Sequence, residues 1–536
     1  MIQSGTDFRK EKLPFLAASS LSALLLALAM PGRFGWWPLL FTALVPLLLF
    51  IAGNRPGRSF LAGFLAGFMY YVALLYWIVI VLDRYGAIPV GLAVAAMILL
   101  SAYMGMYMGF FSAILSLATG KGKGKENIPA SIVVLAPFLW VGLDWARGLL
   151  FTGFPWMDLG YGLYAQPRLI QFADIGGHHL VTFCLVLINT LIIYVLSRSR
   201  FGVHQSRQPG NRVAAAACLI LMLLAVYSVY RYPQVKQIVR ESGQERVAVV
   251  QGDISQDEKW TPAALEATLE KYRILTERGV QNGNTNLVVW PETALPFYPV
   301  NDPLFYSVTG FAEEQKIWLL TGAPYYTVNT DFPKAGRELE YFNSALLISP
   351  EGRMTDRYSK QHLVPFGEYV PLSRYLFFLE PIVVHVGNFT PGDSSAPLSF
   401  GKVKAGVLIC FESIFADLAR RQTAAGANIL VNLTNDAWYG RSSAPHQSFA
   451  MSVFRSVETR RSLVRAANTG ISGFVDPLGR VLEKSPLFEP LVLTATVPLV
   501  EKQSFFTRYG FAFGPGCFIL APFLFFLLRK KKANIL

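Results

Sequence analysis

Three side chains of this 536-residue chain have the types and settings that acyl chemistry needs. Cys410 follows Val403–Ile409, a short apolar run with β-branched members and the pattern of a buried strand. Beyond it, Ser413–Gln422 carries apolar residues at helical spacing, with Ser413 as the expected cap. A cysteine at a strand-to-helix junction can use free backbone N–H groups to stabilise a thiolate or an oxyanion. The same position also suits a small buried hydrophobe. Glu292 closes the apolar run Asn286–Trp290 and stands between Pro291 and Pro296. A carboxylate so poorly solvated is raised towards the range of a useful base, whereas a solvated one is simply a surface glutamate. Lys360 precedes Gln-His-Leu-Val-Pro-Phe-Gly-Glu368, a segment punctuated by Pro and Gly. There it can lower a thiol pKa or hold an oxyanion, or serve as an ordinary loop lysine.

The elements that must position these groups read as α/β. Val247–Gln251, Asn286–Trp290, Trp318–Gly322, Asn343–Ile348 and Asn428–Leu433 have strand patterns. Thr261-Pro262 marks the start of a helix reaching about Gly279, and Pro445–Ser462 reads as another. A Gly-rich phosphate loop and an internal repeat are both missing from the sequence.

This α/β stretch lies inside a chain of different character. Hydrophobic residues make up 53% and charged residues 15%, which points to a membrane protein with a soluble portion. Crossing a bilayer takes about 20 apolar residues. Eight candidate spans follow: Leu13–Met30, Trp36–Ala52, Phe60–Leu82, Ile88–Ala118, Ser131–Ala146, His179–Ser197, Val213–Val229 and Phe511–Leu528. The first is too long, and too continuous with later spans, for a cleaved signal peptide.

The formal charge of +13 sets topology rather than recruiting nucleic acid. On one side of the spans lie Arg9, Lys10, Lys12, Arg55, Arg58, Lys121, Lys123, Lys125, Arg198, Arg200, Arg207, Arg212 and Arg529–Lys532; the other side has only Arg33, Arg84, Arg147 and Arg168. The positive-inside rule then predicts cytoplasmic termini and an outward-facing insert. The expected organisation is residues 1–231 with seven spans, 232–509 as a catalytic domain, and 510–536 as an eighth span with a basic tail.

Near the outer end of the fifth span, Asp144 and Arg147 are spaced to pair on one helix face. They read as an interfacial structural pair or as an intramembrane site. The aromatic loop Phe151–Tyr161 fits an interfacial belt or the floor of a substrate entrance. Of the four cysteines, Cys184, Cys218 and Cys517 lie in apolar runs and Cys410 alone in the soluble part, so the chain has neither a disulfide framework nor zinc spacing. His362, His385 and His446 are likewise too scattered for a metal site.

Trp-Pro-Glu292, Tyr-Ser-Lys360-Gln-His-Leu-Val-Pro-Phe-Gly-Glu and Gly-Val-Leu-Ile-Cys410-Phe-Glu occur once each and in that order. Together they resemble the Glu-Lys-Cys signatures of the carbon–nitrogen hydrolase (nitrilase) superfamily, over about Glu245–Leu499. With seven spans before that region and one after, nearly the whole chain is similar to the bacterial apolipoprotein N-acyltransferase family.

The resemblance implies an extracytoplasmic α-β-β-α sandwich on a membrane helical bundle. In it Glu292 is the general base, Lys360 holds the oxyanion and Cys410 is the nucleophile. It carries Glu368 and Glu412 as further catalytic carboxylates, and Trp260, Trp438 and Phe411 as substrate-binding positions. Phe411 departs from the familiar tyrosine, so no hydroxyl role carries over to it.

The implied reaction takes an acyl chain from a phospholipid, commonly phosphatidylethanolamine, onto Cys410 as a thioester. The chain then passes to the α-amine of an apolipoprotein's N-terminal diacylglyceryl-cysteine, in a ping-pong scheme without metal or cofactor. The implied location is the bacterial inner membrane, with the catalytic domain on the periplasmic side. The residues themselves leave two rivals open: a membrane-tethered amidase or nitrilase acting on small amides, and a transporter or receptor with an inert hydrolase domain. The apolar segment Tyr375–Leu379 with Ile382–Val384 is either core or a membrane-dipping lid.

Overall fold

A computed structural model describes residues 7–52, 54–119, 128–200, 209–256, 262–281, 285–329, 338–369 and 388–533. They fall into two units. The first is drawn from Met1–Val79, Pro89–Arg231 and Tyr509–Leu536, the second from Ile80–Ile88 and Tyr232–Arg508.

The first unit is helical. Among the described residues, five helices are long and apolar enough to cross a membrane: Pro56–Leu75, Val90–Thr119, Ala173–Arg198, Gly210–Glu241 and Gly510–Lys530. The other three expected spans are shorter. Trp36–Ala52 is not one helix but a 3₁₀ turn, Trp37–Phe41, followed by Val45–Ile51. Pro38 and Pro46 stand at the starts of these two pieces, where a missing N–H is tolerated but cannot continue the preceding ladder. Ser131–Arg147 has 17 residues, and Pro14–Ala29 is likewise a shorter apolar helix.

Asp144 and Arg147 pair at 3.3 Å, but both are buried, and Arg147 also bonds Asp158 and the Tyr71 hydroxyl. His178 Nε2 lies 3.0 Å and His179 Nε2 3.6 Å from Asp158 Oδ2. The ligand atoms of Asp158, His178 and His179 are within 4.8 Å of one another. With the Arg147 guanidinium already on the carboxylate, the group is an ion-pair cluster that ties the aromatic loop to its neighbouring helices.

The second unit is a two-sheet sandwich. One sheet runs β12-β1-β2-β3-β4-β5 and the other β11-β10-β9-β8-β7-β6. In the first sheet β1 is Gly243–Gln251, β2 Leu287–Val289, β3 Trp318–Val328, β4 Leu339–Ile348, β5 Met354–Ser359 and β12 Leu491–Leu499. The second has β6 Leu398–Phe400, β7 Val403–Ile409, β8 Ile429–Thr434, β9 Ser462–Ala467, β10 Gly473–Val475 and β11 Val481–Lys484. Strands β1, β2 and β3 are parallel, as are β7, β8 and β9.

Alternation sorts side chains between layers. Val247, Val249 and Val289 face Val407, Val431 and Val464 in the core between the sheets. Ala248, Val250 and Val288 face outward onto the helices Pro262–Val280 and Pro303–Gln315. Each such buried aliphatic side chain contributes about 2 kcal/mol. The helices Ala416–Ala424 and Ala444–Thr459 cover the other sheet.

Candidate active site

The strand ends bring four of the sequence-picked residues together. Glu292 stands just past β2, in a turn that Gly322 of β3 allows to lie close: the Gly322 N–H donates to Pro291 O at 3.2 Å. Lys360 is the first residue beyond β5, its N–H donating to Asn343 O and its carbonyl accepting from Gly392 N, both at 2.8 Å. Cys410 is the first beyond β7, at φ 53°. That left-handed backbone is costly for a residue with a side chain, on the order of 1–3 kcal/mol, and is typical of a nucleophile on a sharp strand-to-helix turn.

The turn differs from expectation. Cys410–Ile414 is a 3₁₀ turn, and the helix begins only at Ala416. Ser413 does not cap it; its hydroxyl donates back to Cys410 O at 3.1 Å. The extra turn inserts Glu412 between strand and helix.

Lys360 is nearly fully buried and bound between two carboxylates, 2.9 Å from Glu368 Oε1 and 3.7 Å from Glu292 Oε1. Burial opposes its charge, but Glu368, Glu292 and Cys410 push the ammonium above its usual range, so Lys360 stays a cation. Asn343, which the sequence reading did not single out, donates through Nδ2 to Glu292 Oε1 at 2.8 Å and Glu368 Oε1 at 2.9 Å. Glu292 Oε2 accepts from Asn435 N at 2.9 Å, and Glu368 Oε2 from Val364 N at 2.8 Å. Both carboxylates are therefore held by fixed donors beside one ammonium.

Cys410 is half-buried, in the field of both Glu292 and Lys360. Burial and then Glu292 push its thiol up to about 12, against Lys360 and a hydrogen bond with Thr434. Lys360 acts in the expected direction, lowering the thiol pKa, but burial and Glu292 act more strongly the other way. Desolvation outweighs Lys360, and this favours the thiol form of the sulfur.

Glu412 has a different place from the one expected of a reacting group. It is fully buried and accepts from Tyr358 OH at 3.0 Å, Gln361 N at 2.6 Å, His362 N at 3.1 Å and Ile409 N at 2.7 Å. Its carboxylate clamps the segment after Lys360 to the turn of Cys410. Phe411 packs against the rings of His362 and Phe415. Trp438 lies in the 3₁₀ turn Asp436–Tyr439, its ring 5.2 Å from that of Tyr85. Tyr85 ends a π-helical turn, Val81–Tyr85, that leaves an apolar helix yet belongs to the catalytic unit. Trp260 and the Tyr375–Val384 segment lie outside the described residues.

Residues 22–191 match the family model described as the apolipoprotein N-acyltransferase N-terminal domain, and 246–505 match carbon-nitrogen hydrolase. An apolipoprotein N-acyltransferase of Geobacter metallireducens is 39% identical over 537 residues, covering 98% of this chain and 99% of that protein. The chain belongs to the apolipoprotein N-acyltransferase family. A Vibrio cholerae member is 30% identical, covering 86% of this chain and 87% of its own. Among solved structures, a carbon-nitrogen hydrolase from Helicobacter pylori is 19% identical, with a TM-score of 0.35, covering 52% of this chain and 94% of that one.

Membership of the family joins the two halves of the chain, an apolar helical part and a nitrilase-like domain with two sheets, in one acyltransferase. The residues missed by the sequence reading differ in the signal they left. Asn343, which reaches both carboxylates through its side chain, is a polar residue at the start of an apolar strand pattern, whereas Asn435 contributes a backbone N–H that its residue type does not advertise.

Proposed function

We propose that this enzyme transfers an acyl chain from a membrane phospholipid to the N-terminal amine of apolipoproteins through a thioester on Cys410. The observation that carries the reading is the buried Lys360 ammonium 3.7 Å from the Glu292 carboxylate, with the Cys410 thiol in the field of both. In the first step Glu292 takes the thiol proton as sulfur attacks the ester carbonyl. Lys360 balances the charge on the carbonyl oxygen, and the C–O bond breaks as Glu292 returns the proton to the departing lysophospholipid. In the second step the α-amine of a diacylglyceryl-cysteine attacks the thioester, Glu292 accepts the amine proton, and Cys410 leaves to regain it. Glu368 and Asn343 keep Lys360 and Glu292 in register, and Glu412 positions the turn that bears the sulfur. Trp438 and Phe411, with Trp260 carried over from the family resemblance alone, are the proposed substrate-binding positions.

Phosphatidylethanolamine is the proposed donor. The proposed topology has eight crossings, cytoplasmic termini and a periplasmic catalytic domain in the inner membrane. The excess of Lys and Arg on one side of the apolar stretches supports it. Extracting a long acyl chain into water costs on the order of 10 kcal/mol, so both lipid substrates reach the sulfur from the bilayer.

The test is mass spectrometry of Cys410 after incubation with phosphatidylethanolamine vesicles, before and after adding a diacylglyceryl-cysteine peptide. A stable acyl adduct that the peptide discharges as an N-acyl amide supports the transferase. Immediate release of free fatty acid would make the chain a hydrolase, and full turnover by Cys410→Ala would end the account.

A further inference from the structure

Strands β1, β8 and β9, drawn from both sheets, end near one another, and a buried amide joins them. Asn468 is the first residue beyond β9. Its N–H donates to the Thr434 carbonyl at the end of β8, at 3.1 Å, and its own carbonyl accepts from Asp253 N just past β1, at 2.8 Å. The side chain is fully buried. Its Nδ2 donates to Ile254 O at 2.8 Å and to Asn435 Oδ1 at 3.1 Å, while Oδ1 accepts from Ile254 N at 3.0 Å and Tyr272 OH at 3.4 Å. A carboxamide has two N–H donors and one oxygen with two lone pairs, so its whole capacity is used.

The polarity of these bonds is forced. Ile254 presents a backbone N–H and a backbone C=O, which cannot exchange roles, so the Asn468 oxygen must face the one and its nitrogen the other. The second N–H of that nitrogen then points at Asn435 and demands an oxygen there. Asn435 accordingly turns Oδ1 to Asn468, where it also accepts from Ala437 N at 3.4 Å, and Nδ2 to Gln256 Oε1 at 2.7 Å. The backbone N–H of this same Asn435 donates to Glu292 Oε2 at 2.9 Å, and its side chain caps the 3₁₀ turn that bears Trp438. A plain staple between strand ends would need only the two Ile254 bonds. The bond to Asn435 extends the hold of Asn468 to the residue that carries a donor for the base.

We propose that Asn468 is a positioning residue for acyl transfer. It fixes the Asn435 carboxamide, and through it the N–H that holds Glu292, so that the base keeps one orientation while it takes up and returns each proton. Asn435 needs such a hold. It lies one residue beyond the last ladder pair of β8, Thr434↔Ala467, at φ −121° and ψ 85°, so its side-chain bonds rather than the sheet set its backbone. Asn468 touches no reacting group, and no covalent bond changes at either amide; the effect passes through Asn435 alone.

This role rests on Glu292 being the base, and its test separates the two. The rate of Cys410 acylation by phosphatidylethanolamine in mixed micelles is followed by mass spectrometry on the detergent-solubilised full chain, as a function of lipid concentration. Asn468→Ala is expected to lower the limiting rate about tenfold, the scale of one disturbed hydrogen bond to a charged group, and to leave the half-saturating lipid concentration within about twofold. In a Glu292→Gln background, where the base is already gone, the same change is expected to cost less than about twofold, since residues that act as a unit do not add. Should Asn468→Ala not fold, Asn468→Asp takes its place: it keeps the acceptors for Ile254 and Tyr272, loses both donors, and is expected to show the same non-additivity. An equal loss in both backgrounds would make Asn468 a structural tie and overturn the role, as would a parent-like rate for the single variant. Glu292→Gln acylating at the parent rate would instead remove the base, and the role with it.

Discussion

A methyl group added to Gly322 would meet the Cα of Glu292 at 2.7 Å and the Thr293 nitrogen at 2.5 Å. The bare backbone of β3 is what lets the turn carrying Glu292 lie close against the sheet. Gly322→Ala must push that turn outward, because backbone atoms cannot step aside as a flexible side chain can. A displacement of about 1 Å at reacting groups costs about 100-fold in rate. Acyl transfer should fall by about that factor while circular dichroism stays native; turnover within twofold of the parent would refute the link.

Asn343 bridges two carboxylates that both face Lys360. Asn343→Ala removes the bridge and should lower turnover about tenfold. Asn343→Asp removes the same donors and adds a third negative charge beside Glu292 and Glu368, so it should lose more, about 100-fold. Steady-state assays of the two variants check the order, and an aspartate variant better than alanine would contradict the like-charge argument.

The unliganded sulfur should behave as a thiol. With its pKa pushed up to about 12 by burial and by Glu292, alkylation should still be rising at pH 10. Glu292→Gln removes one of the two raising influences, so the alkylation midpoint should move down. Acyl transfer, deprived of its base, should fall by about 1,000-fold. A midpoint that stays or rises in Glu292→Gln would count against this field.

His362 supplies a pH dependence of stability. Burial and Lys360 lower its pKa to about 4, below the ordinary 6.5. The unfolded chain therefore takes up a proton from pH 6.5 downward that the folded chain refuses until about 4. The contribution is complete above 6.5 and lost as pH falls towards 4, on the order of 3 kcal/mol over the whole window. Its ring lies 3.8 Å from that of Phe415, so His362→Phe preserves the packing and should flatten the fall in melting temperature between pH 6.5 and 4.5. An unchanged slope would show that other groups carry it.

Tyr85 gives the catalytic unit a ring from between two apolar helices. Tyr85→Ala deletes the partner of Trp438, a contact of about 1 kcal/mol, and should raise KM for phospholipid several-fold with a smaller change in kcat. Tyr85→Phe should stay near the parent. Equal KM values for all three would remove Tyr85 from the substrate route.

Much of this was legible in the residues. Apolar runs gave the strands because a sheet buried on both faces leaves no polar alternation to misread, as in Val247–Gln251 and Asn428–Leu433. The motif carboxylates and Lys360 converge as their strand-end positions implied. The protonated state of Cys410 was not legible, since it depends on how much water each neighbour displaces. Glu412 read as a reacting group because sequence places it two residues from the sulfur, while only the 3₁₀ turn reveals that its oxygens are spent on backbone N–H groups. Chain breaks within the span Trp36–Ala52 were written in Pro38 and Pro46, but a count of apolar residues passes over them. Tyr85 was hidden because its neighbours in sequence belong to apolar helices.

The left-handed backbone at Cys410 has an evolutionary corollary. The reaction asks for a side chain at the one place on this turn where bare backbone would sit more comfortably. A descendant relieved of the chemistry would be free to drift to glycine at 410, and would gain there in ease of folding what it had surrendered in reactivity.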